Sequence, residues 1–264
     1  MVRKIGALIG NMGNMEVLSS HVCPKCNREV RRVKMQIIGG ENKGKWQVME
    51  NECDCRLAQE TMEAEKRRRH RFFEQFCIIP EELESATFEN YKIEYESQAE
   101  ALERTIDYID RFTGKENLYY FGRTGRGKTH LAVGLYKVLK NSGFTVMFFD
   151  VPKLMDTIVA SWDDDAGYSE SKFMKAVSEA DVLILDDLGV ERISEWVDQT
   201  LYSILNRRQG KSVIFTSNIH PADLTKRYGE RIADRIKNKM KQDQLISIST
   251  PESYRTQDLT MYKE

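Results

Sequence analysis

The chain has 264 residues, with 40 Lys and Arg against 41 Asp and Glu, and a formal net charge of −1 at pH 7. No global field draws it to nucleic acid or to a membrane surface, so any such contact must come from local patches. Charged residues make up 31% of the chain, and no apolar run approaches the roughly 20 residues that a membrane span needs.

The opening "MVRKIGALIGNMGNM" joins a basic tip to a short apolar stretch, but Gly and Asn interrupt it and no convincing cleavage site follows. It does not read as a signal peptide, and the expectation is a soluble, cytoplasmic protein. Four of the five cysteines then fall within residues 23–55. Cys23 and Cys26 in "HVCPKCNREV" and Cys53 and Cys55 in "NECDCRLA" flank a basic, Gly-containing segment patterned as a hairpin, "VKMQIIGGENKGKWQV". Two close thiol pairs on two turns suit a tetrahedral four-thiolate Zn²⁺ site, closed and therefore structural. The second pair has one intervening residue where two is commoner, and free cysteines or a disulfide are the alternatives. His21 could replace one ligand, or simply be a loop histidine in solvent.

A charged helix is predicted over "RLAQETMEAEKRRRHRFFEQF", residues 56–76. Its run "EKRRRHR" is either a nucleic-acid patch or a solvated helix face. Leu57, Met62, Phe72, Phe73 and Phe76 are candidate anchors for a partner. Cys77 reads as a buried apolar residue. Pro, acidic and aromatic residues in "IIPEELESATFENYK" mark a boundary. From about residue 117 the pattern changes to short apolar strands alternating with helices: "NLYYF", "TVMFFD", "DVLILDD", "SVIFTSN" and "LISIS". That alternation predicts an α/β fold, a parallel sheet with helices on both faces.

The first of these strands runs into "GRTGRGKTHLAVGLY", where Gly122, Gly127, Lys128 and Thr129 fit the phosphate-loop pattern G-x-x-x-x-G-K-[ST]. Glycines let successive backbone N–H groups turn inward to form an anion site at the positive end of the following helix, for which Gly143 is the stop signal. The candidate cofactor-binding run is Gly122, Arg123, Thr124, Gly125, Arg126, Gly127, Lys128, Thr129 and His130. Lys128 would reach the β- and γ-phosphates of ATP, and the Thr129 hydroxyl would take a place on Mg²⁺. "DVLILDDLG" ends in two acids. Asp186 is expected beside Thr129 and Mg²⁺, with Asp187 polarising the attacking water. Asn218, at the tip of "SVIFTSN", can hydrogen-bond the γ-phosphate or that water. A helix over "YGERIADRIKNKMK", residues 228–241, sets Arg231 and Arg235 on one face. One of them would be an arginine finger completing a neighbouring subunit's site, an effect worth ~10³–10⁵ in rate.

Together, "GRTGRGKTHLA", "DVLILDDLG", "IFTSN", "GERIADRI" and "SYR" resemble the AAA+ ATPases of the DnaC/DnaI helicase-loader family, to which the transposition helper IstB is related. The resemblance covers about residues 86–256, and the cysteine module looks like the front of phage and Gram-positive members. It implies a AAA+ (ASCE P-loop) sheet with strand order 5-1-4-3-2, preceded by a small zinc-binding module and helical linker. It also implies ATP-dependent assembly into a homo-oligomeric spiral, contact with single-stranded DNA, and docking on a replicative DnaB-type hexameric helicase through the N-terminal part. The expected layout is a zinc-binding docking module over 1–76, a linker over 77–95 and the ATPase domain over 96–264. Asn218 corresponds to sensor 1 and Arg235 to the finger, with Arg231 as its neighbour.

Two features depart from or qualify the pattern. Arg123 and Arg126 stand where the family more often has small or uncharged residues. No helical lid with a second sensor arginine follows, a truncation the family shares, which implies a weak, partner-dependent ATPase. The expected function is ATP-dependent loading of a replicative helicase onto single-stranded DNA. The alternative is an IstB-like ATPase helper of a DNA transposase, against which the cysteine module weighs. DNA contact is expected from residues 152–180, through Lys153, Lys172 or Lys175, because "DDD" at 163–165 would repel phosphate.

Overall fold

A computed structural model describes residues 15–50, 53, 55–162, 168–238, 240–251 and 253. Residues 1–14 of the opening stretch, the "DDD" run and the last two residues of "SYR" lie outside them. The chain divides into two compact units, 1–68 and 69–264.

The first unit is an antiparallel meander of β1 (Met15–Val22), β2 (Glu29–Gln36) and β3 (Trp46–Glu50), in that order. The β2–β3 hairpin is the one the cysteine spacing predicts. β1 was not expected, because "MEVLSSHV" carries no clean alternation. Cross-strand register sets Met15 and Val17 opposite Met35 and Val33, with Met49 beyond, which makes one face of the sheet apolar. The other face carries Glu16, Lys34 and Val48, and the Lys34 ammonium lies 5.4 Å from the Trp46 ring centre. Among the described residues of this unit, only Cys23 and Val30 are buried.

Helix α1 (Cys55–Glu74) follows, with its basic run exposed apart from a half-buried His70. The division into units falls within it, between Arg68 and Arg69, and not at residues 77–95. Of the predicted anchors, Met62 is 70% exposed, but Phe73 and Phe76 are buried in the core of the second unit and Phe72 packs against it. The side chain of Leu57 lies outside the described set. The aromatic end of the helix is thus core, not docking surface. The expected linker 77–95 is packed as well. Ile78 N–H donates to Phe148 O, Ala86 and Tyr91 are buried, and Phe88 occupies the space over Gly134.

The second unit is a five-stranded parallel sheet of β4 (Leu118–Phe121), β5 (Val146–Asp150), β6 (Val182–Leu188), β7 (Ser212–Ser217) and β8 (Leu245–Ser247). Its order, β5-β6-β7-β4-β8, is the expected 5-1-4-3-2 read from the other edge. Strand side chains alternate between two cores. Met147, Phe149, Leu183, Leu185 and Phe215 face α4 (Val151–Ala160), α5 (Glu170–Glu179), α6 (Glu195–Arg207) and α7 (Leu224–Lys237). Phe148, Ile184, Ile214 and Ile246 face α2 (Glu96–Asp110) and α3 (Lys128–Asn141). Burial on both faces is why these strands read as continuous apolar runs. Helices α4, α5 and α6 start at Asp150, Ser169 and Ser194, whose side chains accept a backbone N–H of the first turn.

The helix expected over 228–241 differs in both bounds. α7 begins at Leu224, is broken by Gly229 at φ 71° and ψ 171°, and ends at Lys237. Only its second segment, Glu230–Lys237, carries the two arginines. Among the described residues no helix is long and apolar enough to cross a membrane.

Arg208 closes α6 from inside the protein. Its guanidinium donates to the carbonyls of Val177, Ala180, Asp181 and Ser212 at 2.6–3.2 Å, capping α5 and holding β7. Arg208→Met should take the guanidinium donor from all four carbonyls, of which Ala180 O keeps a long contact to Lys211 Nζ at 3.4 Å, and cost about 3–5 kcal/mol of stability, read from urea unfolding.

Candidate functional site

The site is built where β4, β6 and β7 end along one edge of the sheet. β4 runs into a loop whose first residue, Gly122, has φ 143°, and a Cβ there would stand 2.1 Å from Ile248 O. At the other end Gly127, φ 93°, would press a Cβ to 2.8 Å from the Tyr91 ring. Only glycine meets both the backbone conformation and the close approach.

Lys128, the first residue of α3, is buried and turns its ammonium back under the loop. Nζ donates to Gly122 O and Arg123 O at 2.9 Å and to Asn218 Oδ1 at 2.8 Å. One cation therefore links the loop to the tip of β7. The acid pair is held from the same side. The Thr216 hydroxyl of β7 donates to Asp186 Oδ1 at 2.5 Å and accepts the Asp187 N–H at 3.0 Å. Burial pushes the Asp186 carboxyl up to about 6, against the Thr216 and Thr129 hydroxyls that bond it; the neighbouring Asp187 charge adds to the rise.

Asp187 is left-handed, φ 54°, and sits at a register break between Leu185 and Leu188. A bulge of this kind turns a strand-end side chain away from its pleat. Asp187 accordingly lines the cleft instead of pointing into the core.

That cleft has a volume of about 530 Å³ and lies between the loop, Thr124–His130, and the segment Glu82–Lys92. His130 fastens that segment: its Nε2–H donates to Thr87 O at 2.8 Å, with Asn90 Oδ1 at 3.0 Å. Glu82, Leu83, Asn90, Tyr91 and Lys92 were not anticipated, because the stretch shows no period and reads as a boundary.

The structure thus gathers Thr124, Gly125, Arg126, Gly127, Lys128, Thr129, His130 and Asp187 on one cleft, with Asp186 and Asn218 hydrogen-bonded to its members. Arg126 also reaches beyond it: its buried guanidinium donates to Thr250 Oγ1 at 2.8 Å and Pro251 O at 3.1 Å, so it clasps the C-terminal segment. Other residues go elsewhere. Arg123 is exposed and borders a separate hollow with Asn218 and His220. Arg231 lies 4.5 Å over the Tyr202 ring, and both it and Arg235 draw that phenol's pKa down. Neither arginine lines its own chain's cleft.

In the first unit, β1 delivers Cys23 to a tight turn closed by Cys23 N–H to Arg28 O and by Asn27 N–H to Cys23 O, with Asn27 at φ 56°. The sulfurs of Cys23, Cys26, Cys53 and Cys55 all lie within 4.8 Å of one another, and His21 stands outside the cluster. A tetrahedral Zn²⁺ with bonds near 2.3 Å sets sulfurs about 3.8 Å apart, so the donor set fits. The Cys26 and Lys25 backbone N–H groups hold the Cys23 thiol down to about 6, while Cys26, with burial and Cys53, pushes Cys55 up to about 12.

The strand order, the phosphate loop and the acid-tipped β6 together define an ATP-binding domain of the AAA+ class. Residues 41–260 match the family of IstB-like ATP-binding proteins, and the chain belongs to that family. Its ATPase domain is of the DnaC type. It is 34% identical over 153 residues to the uncharacterized protein YdaV of Escherichia coli strain K12, covering 57% of this chain and 61% of that one. It is 29% identical over 157 residues to the replicative helicase loader DnaC of the same strain, covering 58% and 64%. The matched stretch thus spans somewhat less than two thirds of the length of these relatives. The crystal structure of the DnaC helicase loader superposes with a TM-score of 0.57 at 30% identity, over 64% of this chain and 100% of that one.

Asp186 supplies a pH test. Its folded pKa of about 6 exceeds the ordinary 3.8, so between those values the folded chain holds the extra proton. Its contribution to stability is full below about pH 4 and lost as pH rises through 6, about 3 kcal/mol in all. Without Mg²⁺, Asp186→Asn should raise the urea midpoint at pH 7.5 and leave it nearly unchanged at pH 4.

Proposed function

We propose that this chain is an ATP-dependent loader of a replicative, DnaB-type helicase onto single-stranded DNA, working in the cytoplasm as an ATP-assembled homo-oligomeric spiral. The observation that carries the reading is a nucleotide cleft supplied with a lysine, two acids and a sensor asparagine, while both candidate finger arginines stand on a helix outside it. In this reading the finger arginine comes from a neighbouring copy, which makes hydrolysis depend on assembly.

In this mechanism the loop N–H groups and Lys128 hold the β- and γ-phosphates of ATP, and Thr129 and Asp186 are the residues that would hold Mg²⁺. When bound, that ion neutralises phosphate charge. Asp187, turned into the cleft by the bulge, orients the attacking water and takes its proton. Asn218 aligns the γ-phosphate side through the same hydrogen-bond network as Lys128. Arg235, with Arg231 beside it, reaches the site of the next subunit.

A pair of indoles offers single-stranded DNA a platform. Trp162, 54% exposed, meets Trp196 edge-to-face at 5.7 Å, and Trp196 lines a hollow with exposed Ile193. Indole faces stack bases without sequence preference, and nearby cations follow the backbone. Lys175 pairs with Glu179, and Lys172 lies over the Phe72 ring.

The first unit serves as the docking module. The two buried side chains among its described residues cannot offset the ordering of its backbone, so Zn²⁺ on Cys23, Cys26, Cys53 and Cys55 would supply much of its folding energy. The apolar sheet face of Met15, Val17, Val33, Met35 and Met49 would then meet the helicase. The family match favours a second reading, an IstB-like helper of a transposase. Co-purification with a replicative helicase decides for the first, and with a transposase for the second.

Three variants test the site. Lys128→Ala should abolish ATP binding, measured by calorimetry. Asp187→Asn should keep binding and lose about 10²-fold or more in turnover. Cys23→Ser should reduce bound zinc from about one per chain, read by elemental analysis, and abolish helicase capture without changing ATP affinity. Wild-type hydrolysis in the first two variants would refute the site assignment.

A further inference from the structure

The loop after β6 holds a buried charge that has no place in the cleft. Glu191, its side chain 1% exposed, turns both carboxylate oxygens inward. Oε2 accepts the Gly189 backbone N–H at 2.7 Å. Oε1 accepts from the Tyr228 hydroxyl at 2.5 Å and from Arg227 Nη2 at 2.9 Å, and that nitrogen also donates to Glu191 O at 3.2 Å. Arg227 Nη1 stands 3.8 Å from Asp198 of α6, and the guanidinium lies 4.5 Å over the Tyr228 ring. A carboxylate this buried persists only when such partners satisfy it.

The position of these partners gives the network its meaning. Gly189 lies two residues past Asp187. Arg227 and Tyr228 end the first segment of α7, directly before the break at Gly229, and Arg231 follows two residues beyond that break. A helical segment joined through a non-helical glycine has no continuous backbone ladder to hold its angle. Side-chain contacts must hold it, and Glu191 anchors the fixed side of the break to the backbone leaving the acid pair.

We propose that Glu191 is a positioning residue. By fixing Arg227 and Tyr228 at the Gly229 break, it sets the direction in which Arg231 and Arg235 are presented to the neighbouring subunit. It does not line the nucleotide cleft. This inference rests on the reading above that those arginines act in trans.

The test uses full-length chains with ATP and a single-stranded oligonucleotide, at concentrations where sedimentation detects ATP-dependent assembly. Glu191→Gln should bind ATP with unchanged Kd and lose about ten- to a hundredfold in turnover, the scale of a misplaced catalytic group. It keeps its own nucleotide site, so mixing it with Lys128→Ala, which keeps its arginines, should restore activity. In a random one-to-one head-to-tail assembly, about a quarter of the interfaces pair an intact site with an intact arginine helix. Tyr228→Phe, which removes one donor and keeps the ring, should give a smaller loss with the same rescue, and it decides the matter if Glu191→Gln does not fold. Wild-type turnover in Glu191→Gln overturns the proposal. A dead Glu191→Gln mixture, alongside Arg235→Ala or Arg231→Ala mixtures that recover, overturns it while sparing the trans reading. Failure of the arginine mixtures as well removes the trans reading and this proposal with it.

Discussion

The cleft depends on one buried ammonium. Lys128 has to satisfy its charge where little water reaches, and it does so on two loop carbonyls and the Asn218 amide. Those acceptors belong to the end of β4 and the tip of β7, which are neighbours only because the sheet order inserts β7 between β4 and β6. Thr216, two residues before Asn218, then reaches across to the acid pair on β6. Strand order, a lysine and a threonine thus bring three separate sequence motifs to one edge. Any shift of β7 relative to β4 moves the asparagine and the acids together.

The five strands of the ATPase sheet were legible because burial on both faces leaves an unbroken apolar run, and because four of the runs close on polar residues: Asp150, Asp186 with Asp187, Ser217 and Ser247. The phosphate loop was legible for a different reason: its glycines are imposed by backbone geometry. What escaped was held by isolated contacts without a period. Residues 78–92 pack through single side chains such as Phe88 over Gly134 and Tyr91 against Gly127, so they read as a boundary. Arg126 looked like a phosphate ligand from its place in the loop, and its bond to Thr250, on a distant stretch of the chain, had no sequence signal. Gly229 looked like an ordinary helical residue, and only its dihedrals reveal that α7 is two segments. Trp162 and Trp196 are 34 positions apart in the chain, and no spacing rule would have paired them.

The two units are stabilised by different physics. The ATPase unit has a core on each side of its sheet, whereas the meander has two buried side chains and a thiol cluster. Losing a methyl group from the first is a matter of packing. The second gathers its four sulfurs from the turn after β1 and the start of α1, a set that a metal ion would cross-link.

The clasp between Arg126 and the C-terminal segment has a practical side. Thr250 and Pro251 are bonded to the loop's arginine, and Ser253 packs against the place where Gly125 lacks a side chain. The phosphate-binding backbone and the last described residues are therefore one mechanical piece. A purification tag or fluorescent protein joined just beyond residue 253 would pull directly on the nucleotide site.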